Sequence, residues 1–432
     1  MKKNRIHNLA ISITSMILIV MSISLMYSIY KLSIIKLMYA VVLDSLIILI
    51  DLLLINYIEN KNKNIKKRRI LTFISFIFII IYFNLIIYLI STFNFIEKVT
   101  SNNNDLIKYS VIVKKDKDIK IKDLDNKKLG FITLPNLTES KVALTKNLSY
   151  SFITSDYDSY SSLIKAYDKK YVDALVVPSI SLKDSDNFKD YKEVYNYDLK
   201  LTSFDNINER KDSYVILISV SSDAKYDEDS IANILLIVNK ETKKTMTVFL
   251  PNNLYINLYN SPGKRELLKY TLNYGTFIYT NSVAQLLDVN IDYYLKVDKD
   301  FVVKTVNNLN GIELNNKVLD GENFYKYIND DVKKNKSAYN SFKFKLFSKN
   351  LLFKYDDILD YSKNHVKSNL NYQELIDIFK NDFFFIKNNE DVILIGNANN
   401  RKSYTYNKEE RVIDIDNKEI NEIKEKIKSI RK

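Results

Sequence analysis

Apolar positions are distributed very unevenly along this chain. Three runs, residues 8–30, 37–58 and 70–96, are almost free of charge. Each is about as long as the ~20 mostly apolar residues that cross a bilayer core as a helix. The first run lacks the small-residue site of a cleaved leader and two more runs follow it, so all three are expected to be spans. After residue 97 the pattern changes to short β-branched runs between helical periods. IKYSVIVKK (107–115), KLGFITLP (128–135) and YVDALVVP (171–178) predict strands, and SYSFITS is strand-like. TESKVALTKNL (138–148) predicts a helix, as does DYDSYSSLIKAYDKKY with an aspartate cap. This alternation predicts a small α/β domain over 97–210, in which no catalytic constellation stands out.

The pattern over 211–432 predicts a second α/β domain with a mixed sheet. SYVILISVSS (213–222) is an apolar strand, and IANILLIVNKETKKTMTVFLP (231–251) is a hairpin around the polar turn NKETKK. KRELLKYTLNYG (264–275), TNSVAQLLDVN (280–290) and KDFVVKTVNNLNG (299–311) predict helices, with the strand IDYYLKVD (291–298) before the last. A further strand is expected at IELNN, and an Asn-capped helix at NLNYQELIDIFKN (369–381). The tail NKEINEIKEKIKSIRK has an amphipathic helical period.

Loop charge sets the expected orientation. The basic MKKNR start and the basic ENKNKNIKKRR loop lie on one side if the N-terminus is cytoplasmic, which leaves everything after about residue 97 outside. Two lysines in the turn KLSIIK run mildly against this. Asp44 and Asp51 fall within the second run; an intramembrane acid raises a transport role, and a hydrogen bond to a neighbouring helix explains it more simply.

Composition removes whole classes of chemistry. There is no cysteine, so disulfides, thiolate nucleophiles and Cys-based zinc sites are excluded. The two histidines, His7 and His365, leave no room for a multi-His metal site or a Ser-His-Asp hydrolase. The net charge of +12 is mostly lysine; it suits an anionic envelope surface, and no nucleic-acid partner is expected.

Several stretches resemble motifs of the LytR-CpsA-Psr family. NILLIVNKETKKTMTVFLPNNLYI looks like the family hairpin that ends in Pro-Arg-Asp, and GKRELLKYTLNYG looks like the Lys-x-x-Leu helix that follows it. LLDVNIDYYLKVD, LNGIEL, LDGENFYKYI and VKSNLNYQELI look like later family segments, in family order. Three spans, an accessory α/β domain and a catalytic domain resemble the streptococcal CpsA-type layout. The resemblance implies an extracytoplasmic enzyme that moves a glycopolymer, capsule or wall teichoic acid, from a polyprenyl pyrophosphate to peptidoglycan. It further implies arginine forks on the pyrophosphate, Mg²⁺ held by aspartates, and a slot for the lipid.

The resemblance also shows what is missing. The family's Arg-Ser-Asp falls on Asp229, Ser230 and Ile231, and its Pro-Arg-Asp on Pro251, Asn252 and Asn253. Its Arg-x-Arg falls on Asn329, Asp330 and Asp331. Across 211–432 the arginines are Arg265, Arg401, Arg411 and Arg431. If one residue is inserted, Asp223 and Lys225 stand for the family's Mg²⁺-binding aspartate and following arginine; otherwise Ser222 takes the aspartate's place. Lys264, Arg265, Lys343 and Lys345 are the remaining candidate pyrophosphate cations. Three readings follow: an LCP-like binding or regulatory protein with reduced or lost phosphotransfer, an active divergent phosphotransferase using Mg²⁺ on Asp223, or a membrane sensor or scaffold unrelated to polymer transfer. The expected partners of the first two are a polyprenyl-linked glycopolymer, peptidoglycan and other envelope-assembly proteins.

Overall fold

The computed structural model describes residues 2–33, 35, 37–60, 63–101, 104–183, 186–202, 212–222, 229–345, 349–378 and 389–431. The chain divides into two compact units: Met1–Ser101 with Leu351–Asn364 and Asn371–Phe384, and Asn102–Asn350 with His365–Leu370 and Phe385–Lys432. In the first unit the apolar runs form α1 (Lys2–Leu32), α2 (Leu37–Glu59) and α3 (Ile65–Ser101). All three are long and apolar enough to cross a membrane. Leu18, Leu25, Ile47 and Tyr82 pack between them, while many other apolar side chains stay exposed, as suits helices with lipid around them. Asp44 and Asp51 both face inward, and the Tyr82 hydroxyl donates to Asp51 Oδ1 at 3.2 Å.

The second unit begins with β1 (Asn104–Lys114), β2 (Lys128–Ile132), α4 (Leu137–Leu148), β3 (Ile153–Tyr157), α5 (Tyr160–Asp168), β4 (Ala174–Pro178) and β5 (Tyr191–Thr202). The strands form one sheet in the order β3-β2-β4-β1-β5. β2 runs parallel to β3 and β4, and β1 antiparallel to β4 and β5. The α5 cap is Ser159, whose side chain accepts from Ser162 N, rather than the expected aspartate. A hydroxyl at that position satisfies one of the otherwise unpaired first-turn amides.

β6 (Ser213–Ser221), β7 (Ser230–Asn239) and β8 (Lys244–Leu250) form the antiparallel centre of the second sheet. The β7–β8 turn is closed by Asn239, whose Oδ1 accepts from Glu241 N and Thr242 N, both at 3.0 Å. Next come β9 (Tyr255–Asn257), β10 (Arg265–Leu267), α6 (Leu268–Thr271), α7 (Thr276–Leu287), β11 (Tyr293–Asp298), α8 (Lys299–Asn308) and the small hairpin β12 (Ile312–Leu314) and β13 (Lys317–Leu319). The chain ends with α9 (Gly321–Asp330), α10 (Val332–Lys345), α11 (Lys349–His365), β14 (Val366–Ser368), α12 (Tyr372–Asp377), β15 (Asn389–Ile393), the hairpin β16 (Asn397–Lys402) and β17 (Glu409–Asp414), and α13 (Asn417–Arg431). The second sheet runs β14-β11-β6-β7-β8-β15, with parallel pairs β11–β6 and β8–β15, so it is mixed.

Both faces of this sheet are covered. Val215, Leu217, Leu235, Ile237, Met246 and Val248 point to one face and meet α7 and α13. The α13 contribution is Ile420, Ile423, Ile427 and Ile430, a single helical stripe. Each such side chain contributes about 1.5–3 kcal/mol when fully buried. On the other face Phe249 packs edge-on against Tyr339 of α10.

The segment 264–275 departs from the single helix expected of it. It opens as β10, paired antiparallel with β9, then makes the short α6 and a tight turn through Leu272–Tyr274. The cause is Glu266, which is buried and accepts from Leu267 N at 2.8 Å, Thr405 N at 2.6 Å and Thr405 Oγ1 at 2.5 Å. Four hydrogen-bond donors, the last of them Ser403 Oγ at 3.2 Å, hold this carboxylate in an extended stretch that helical periodicity alone could not reveal. Lys264 and Arg265 therefore do not head a helix, and no helix N-terminus assists them.

The two sheets of this unit are joined around Gly275. Asp105 of β1 accepts from Thr276 N at 2.6 Å and from Thr276 Oγ1 at 2.9 Å, with Lys296 Nζ 3.6 Å away. Gly275 has φ of 97°, and a Cβ there would come within 3.2 Å of Leu201. In the first unit α12 packs on the long helices: Tyr372 donates its hydroxyl to Leu32 O at 3.0 Å, and Ile376 is buried with Leu32 and Ile96. The cap of α12 is Asn371, as expected, in a reciprocal pair with Glu374.

Candidate functional site

Antiparallel pairing brings the ends of the β7–β8 hairpin together. Asn233 faces Leu250, so Asp229 before β7 and Pro251–Asn253 after β8 lie at the same end of the sheet. β6 and β11 finish there as well, since Ser221 pairs with Ser230 on one side and with Asp298 on the other. Ser222 and Asp229, which flank residues 223–228 in the sequence, both lie at this end. Ser222 N donates to Asp229 O at 2.9 Å, and Asp229 N donates to Ser222 Oγ at 3.2 Å. Asp223 and Lys225 themselves lie outside the described residues.

Three of the positions that the resemblance assigns to arginines converge here. Asn252 Nδ2 donates to Asn329 Oδ1 at 3.5 Å, which joins the turn after β8 to the last turn of α9. Asn252 O accepts from Lys269 N at 2.7 Å. Lys269 also lies electrostatically close to Asp229, whose Oδ1 accepts from Asn273 Nδ2 at 3.2 Å. Lys269 Nζ meets Glu410 Oε2 at 2.5 Å, and the Tyr270 hydroxyl donates to the other oxygen of Glu410 at 2.5 Å.

Burial governs the charge of this cluster. It pushes the Asp229 carboxyl up to about 6; the Asn273 hydrogen bond and the charges of Lys269 and Lys183 pull it back, while Glu410 adds to the rise. Tyr325 of α9 is pushed up to about 12, mainly by burial, with Asp229, Glu322 and Asp298 adding to it. The cluster offers amides, a phenol and one carboxyl that ionises near neutrality. It can hydrogen-bond a polar ligand. Above pH 6 it turns a negative charge toward any pyrophosphate placed where the family's arginines would grip it.

The other sequence candidates are placed elsewhere. Ile231 is buried in β7. Asn253 Nδ2 donates to Arg411 O at 3.2 Å, and Asp331 Oδ1 accepts from Lys333 N at 2.8 Å at the start of α10. Lys264 donates to Thr133 O and lies 5.2 Å over the Tyr404 ring, with burial lowering its pKa. Arg265 lies 4.5 Å over the Tyr255 ring and donates to Tyr255 O at 2.7 Å. Lys343 sits in the last turn of α10, 4.4 Å over Tyr339, and burial lowers its pKa too; Lys345 follows one half-turn on. These four cations do not gather in one place.

Ile231 and Asn253 stand at two of the positions that the resemblance gives to aspartates, the third falls on Asp223 or Ser222, and among the described residues no group of three or more His, Asp or Glu side chains is placed to hold a metal. Asp229 and Glu410 approach one another, but Glu410 is already taken up by Lys269 and Tyr270. Sequence reasoning missed Lys269, Asn273, Tyr325 and Glu410. Glu410 in particular lies 141 residues from Lys269 and carries no local signal.

A model of the LytR_cpsA_psr family matches residues 181–323. The resemblance drawn from the motifs is shown over that stretch, which holds Asp229, Asn252, Asn253, Lys264 and Arg265. It stops before Asn329 and Asp331. No curated protein matches the chain. Among solved structures, protein gbs0355 from Streptococcus agalactiae is 18% identical, with 51% of this chain and 88% of that one covered and a TM-score of 0.44. TagV of B. subtilis is 16% identical, with 52% and 98% covered and a TM-score of 0.42. TagT bound to LI-WTA is 18% identical, with 51% and 91% covered and a TM-score of 0.40. Likenesses of that size carry no argument about function. The protein thus has a LytR-CpsA-Psr-type segment behind three helices suited to membrane anchoring.

Proposed function

We propose that this protein is an LCP-like binding protein of cell-envelope glycopolymer assembly, anchored by α1–α3, with its N-terminus cytoplasmic and residues from about 97 onward outside. It holds a polyprenyl-linked glycopolymer or peptidoglycan and has lost most or all phosphotransfer. The observation that carries this reading is the convergence of Asp229, Asn252 and Asn329 at one end of the sheet, where the resemblance calls for arginines. Neutral amides and a carboxyl cannot supply the bidentate, permanently charged grip that arginine gives a phosphate. The basic stretch ENKNKNIKKRR, which runs from the end of α2 into the first turns of α3, supports the orientation.

The test uses the full chain in neutral-lipid nanodiscs. A polyprenyl-pyrophosphate-linked oligosaccharide is titrated with and without Mg²⁺, and release of polyprenyl phosphate is followed. Binding without release is expected. Mg²⁺-dependent release would instead support the divergent phosphotransferase, for which one observation speaks: Ser222 and Asp229, the residues that flank Asp223 and Lys225 in the sequence, are paired at this site. Release abolished by Asp223→Ala would place the metal there.

A further inference from the structure

A cleft on this unit shares no lining residue with the Asp229, Asn252 and Asn329 cluster, although the sequence candidate Arg265 forms part of its wall. It has a volume of about 650 Å³ and is bounded by α7, β9, β10, the β16–β17 hairpin and α13. That is within the roughly 300–1,000 Å³ of small-ligand clefts. Its charged groups are Arg265, Arg401, Lys424 and Asp414. Two of the four arginines in residues 211–432 therefore share this cleft.

Both arginines attend one carboxylate. Arg401 reaches Asp414 Oδ2 with Nε at 3.1 Å and Nη2 at 2.8 Å, and Asn399 Nδ2 reaches the same oxygen at 2.7 Å. Arg265 Nη2 stands 3.9 Å from the other oxygen, Oδ1, which is buried and accepts no hydrogen bond. The Arg265 guanidinium is held in place by the ring and carbonyl of Tyr255. Two cations thus face one carboxylate, a third, Lys424, lines the same cleft, and both guanidinium groups keep N–H donors beyond those spent on Asp414. An arginine that is already oriented loses little freedom on meeting an oxyanion.

The remaining walls are not those of a simple anion site. Gln285 and Asn417 place exposed side-chain amides on the rim. Leu286 and Ile415 add half-buried apolar surface beside them. Amides pair with hydroxyl groups, apolar surface suits the C–H face of a sugar ring, and arginine forks suit phosphate or carboxylate. We infer that this cleft binds a saccharide bearing an oxyanion, separately from the site at the end of β7 and β8. The inference rests on the reading that the protein holds a glycopolymer, and it names a chemistry and a place for that contact.

The experiment is calorimetry on the full chain in neutral-lipid nanodiscs with four probes: a trisaccharide with one phosphodiester, the same trisaccharide with a uronic acid, the neutral trisaccharide, and inorganic phosphate. At least one acidic trisaccharide is expected to bind tenfold or more tightly than the neutral one and than phosphate, and the better of the two names the oxyanion. Arg265→Gln with Arg401→Gln is expected to lower that affinity at least tenfold. Gln285→Trp, which fills the rim without changing charge, should do the same if the cleft is the site. Lys426→Gln with Lys428→Gln, the same loss of two positive charges on the exposed face of α13, should leave binding intact. Equal binding of neutral and acidic probes, binding that survives the double variant, or phosphate binding as well as the acidic trisaccharides would overturn the inference. If the acidic probes fail while the polyprenyl-linked oligosaccharide still binds, the cleft falls and the glycopolymer reading stands.

Discussion

The side-chain amide of Asn252 lies 3.5 Å from the amide oxygen of Asn329, across 77 residues of sequence. The resemblance gives each position to a different arginine motif. Two guanidinium groups this close would repel unless an anion lay between them. Two amides need no anion, and they can close on each other.

Restoring the cations tests that relationship. Asn252→Arg with Asn329→Arg is expected to raise affinity for polyprenyl pyrophosphate about tenfold at low salt, or about 1.4 kcal/mol. The gain should shrink as salt screens exposed charge. Equilibrium binding in nanodiscs at two salt concentrations checks it. An unchanged affinity would mean that pyrophosphate does not visit this end of the sheet.

Asp229 gives the same site a pH dependence. Its carboxyl titrates at about 6 in the fold, against an ordinary value of 3.8. The folded state therefore holds an extra proton between those values. By linkage, stability falls as pH rises through that window and levels off above 6. Asp229→Asn is expected to flatten that slope in thermal unfolding between pH 4 and 7. Anion binding by the native protein should strengthen below pH 6, where the carboxyl is neutral, and the variant should bind independently of pH there.

The buried contact of Asp105 with Thr276 and Lys296 is expected to hold the two sheets together. Asp105→Ala leaves Lys296 buried beside a lost partner and should cost about 3–5 kcal/mol. The paired change Asp105→Leu with Lys296→Met should cost much less, because no charge is left unmatched. Denaturant unfolding of both variants measures the difference. Equal losses would mean that the ion pair contributes nothing beyond packing.

Gly321 is required by close approach. A Cβ there would collide with the backbone of Val303 in α8. Backbone cannot swing aside as a side-chain tip can, so Gly321→Ala is expected to cost about 1–3 kcal/mol. It should also loosen α9, which carries Tyr325 and Asn329. Thermal unfolding and hydrogen exchange across 321–330 report the two effects.

Much of this protein was legible in its sequence. The three long helices follow from uninterrupted apolar runs, because a bilayer leaves a backbone few other solutions. β6, β7 and β8 follow from β-branched runs and a polar turn, and α13 from its isoleucine spacing. The order of these elements, with the motif remnants, pointed to the family. That Asp229, Asn252 and Asn329 stand where the resemblance places arginines needs only the sequence to be seen.

What only the tertiary structure decided is which residues meet. Lys264–Tyr274 reads as a helix because its apolar residues are spaced for one, yet Glu266 finds its donors on Thr405 and Ser403 and holds the first part extended. Nothing in the sequence singles out Lys269, whose partner Glu410 comes from the β16–β17 hairpin. Arg265 and Arg401 share Asp414 although 136 residues separate the two arginines. Periodicity reports the neighbours a residue has along its own helix or strand. A site assembled from chain ends and distant hairpins is set by how the sheets and helices pack, and that is encoded in no single stretch.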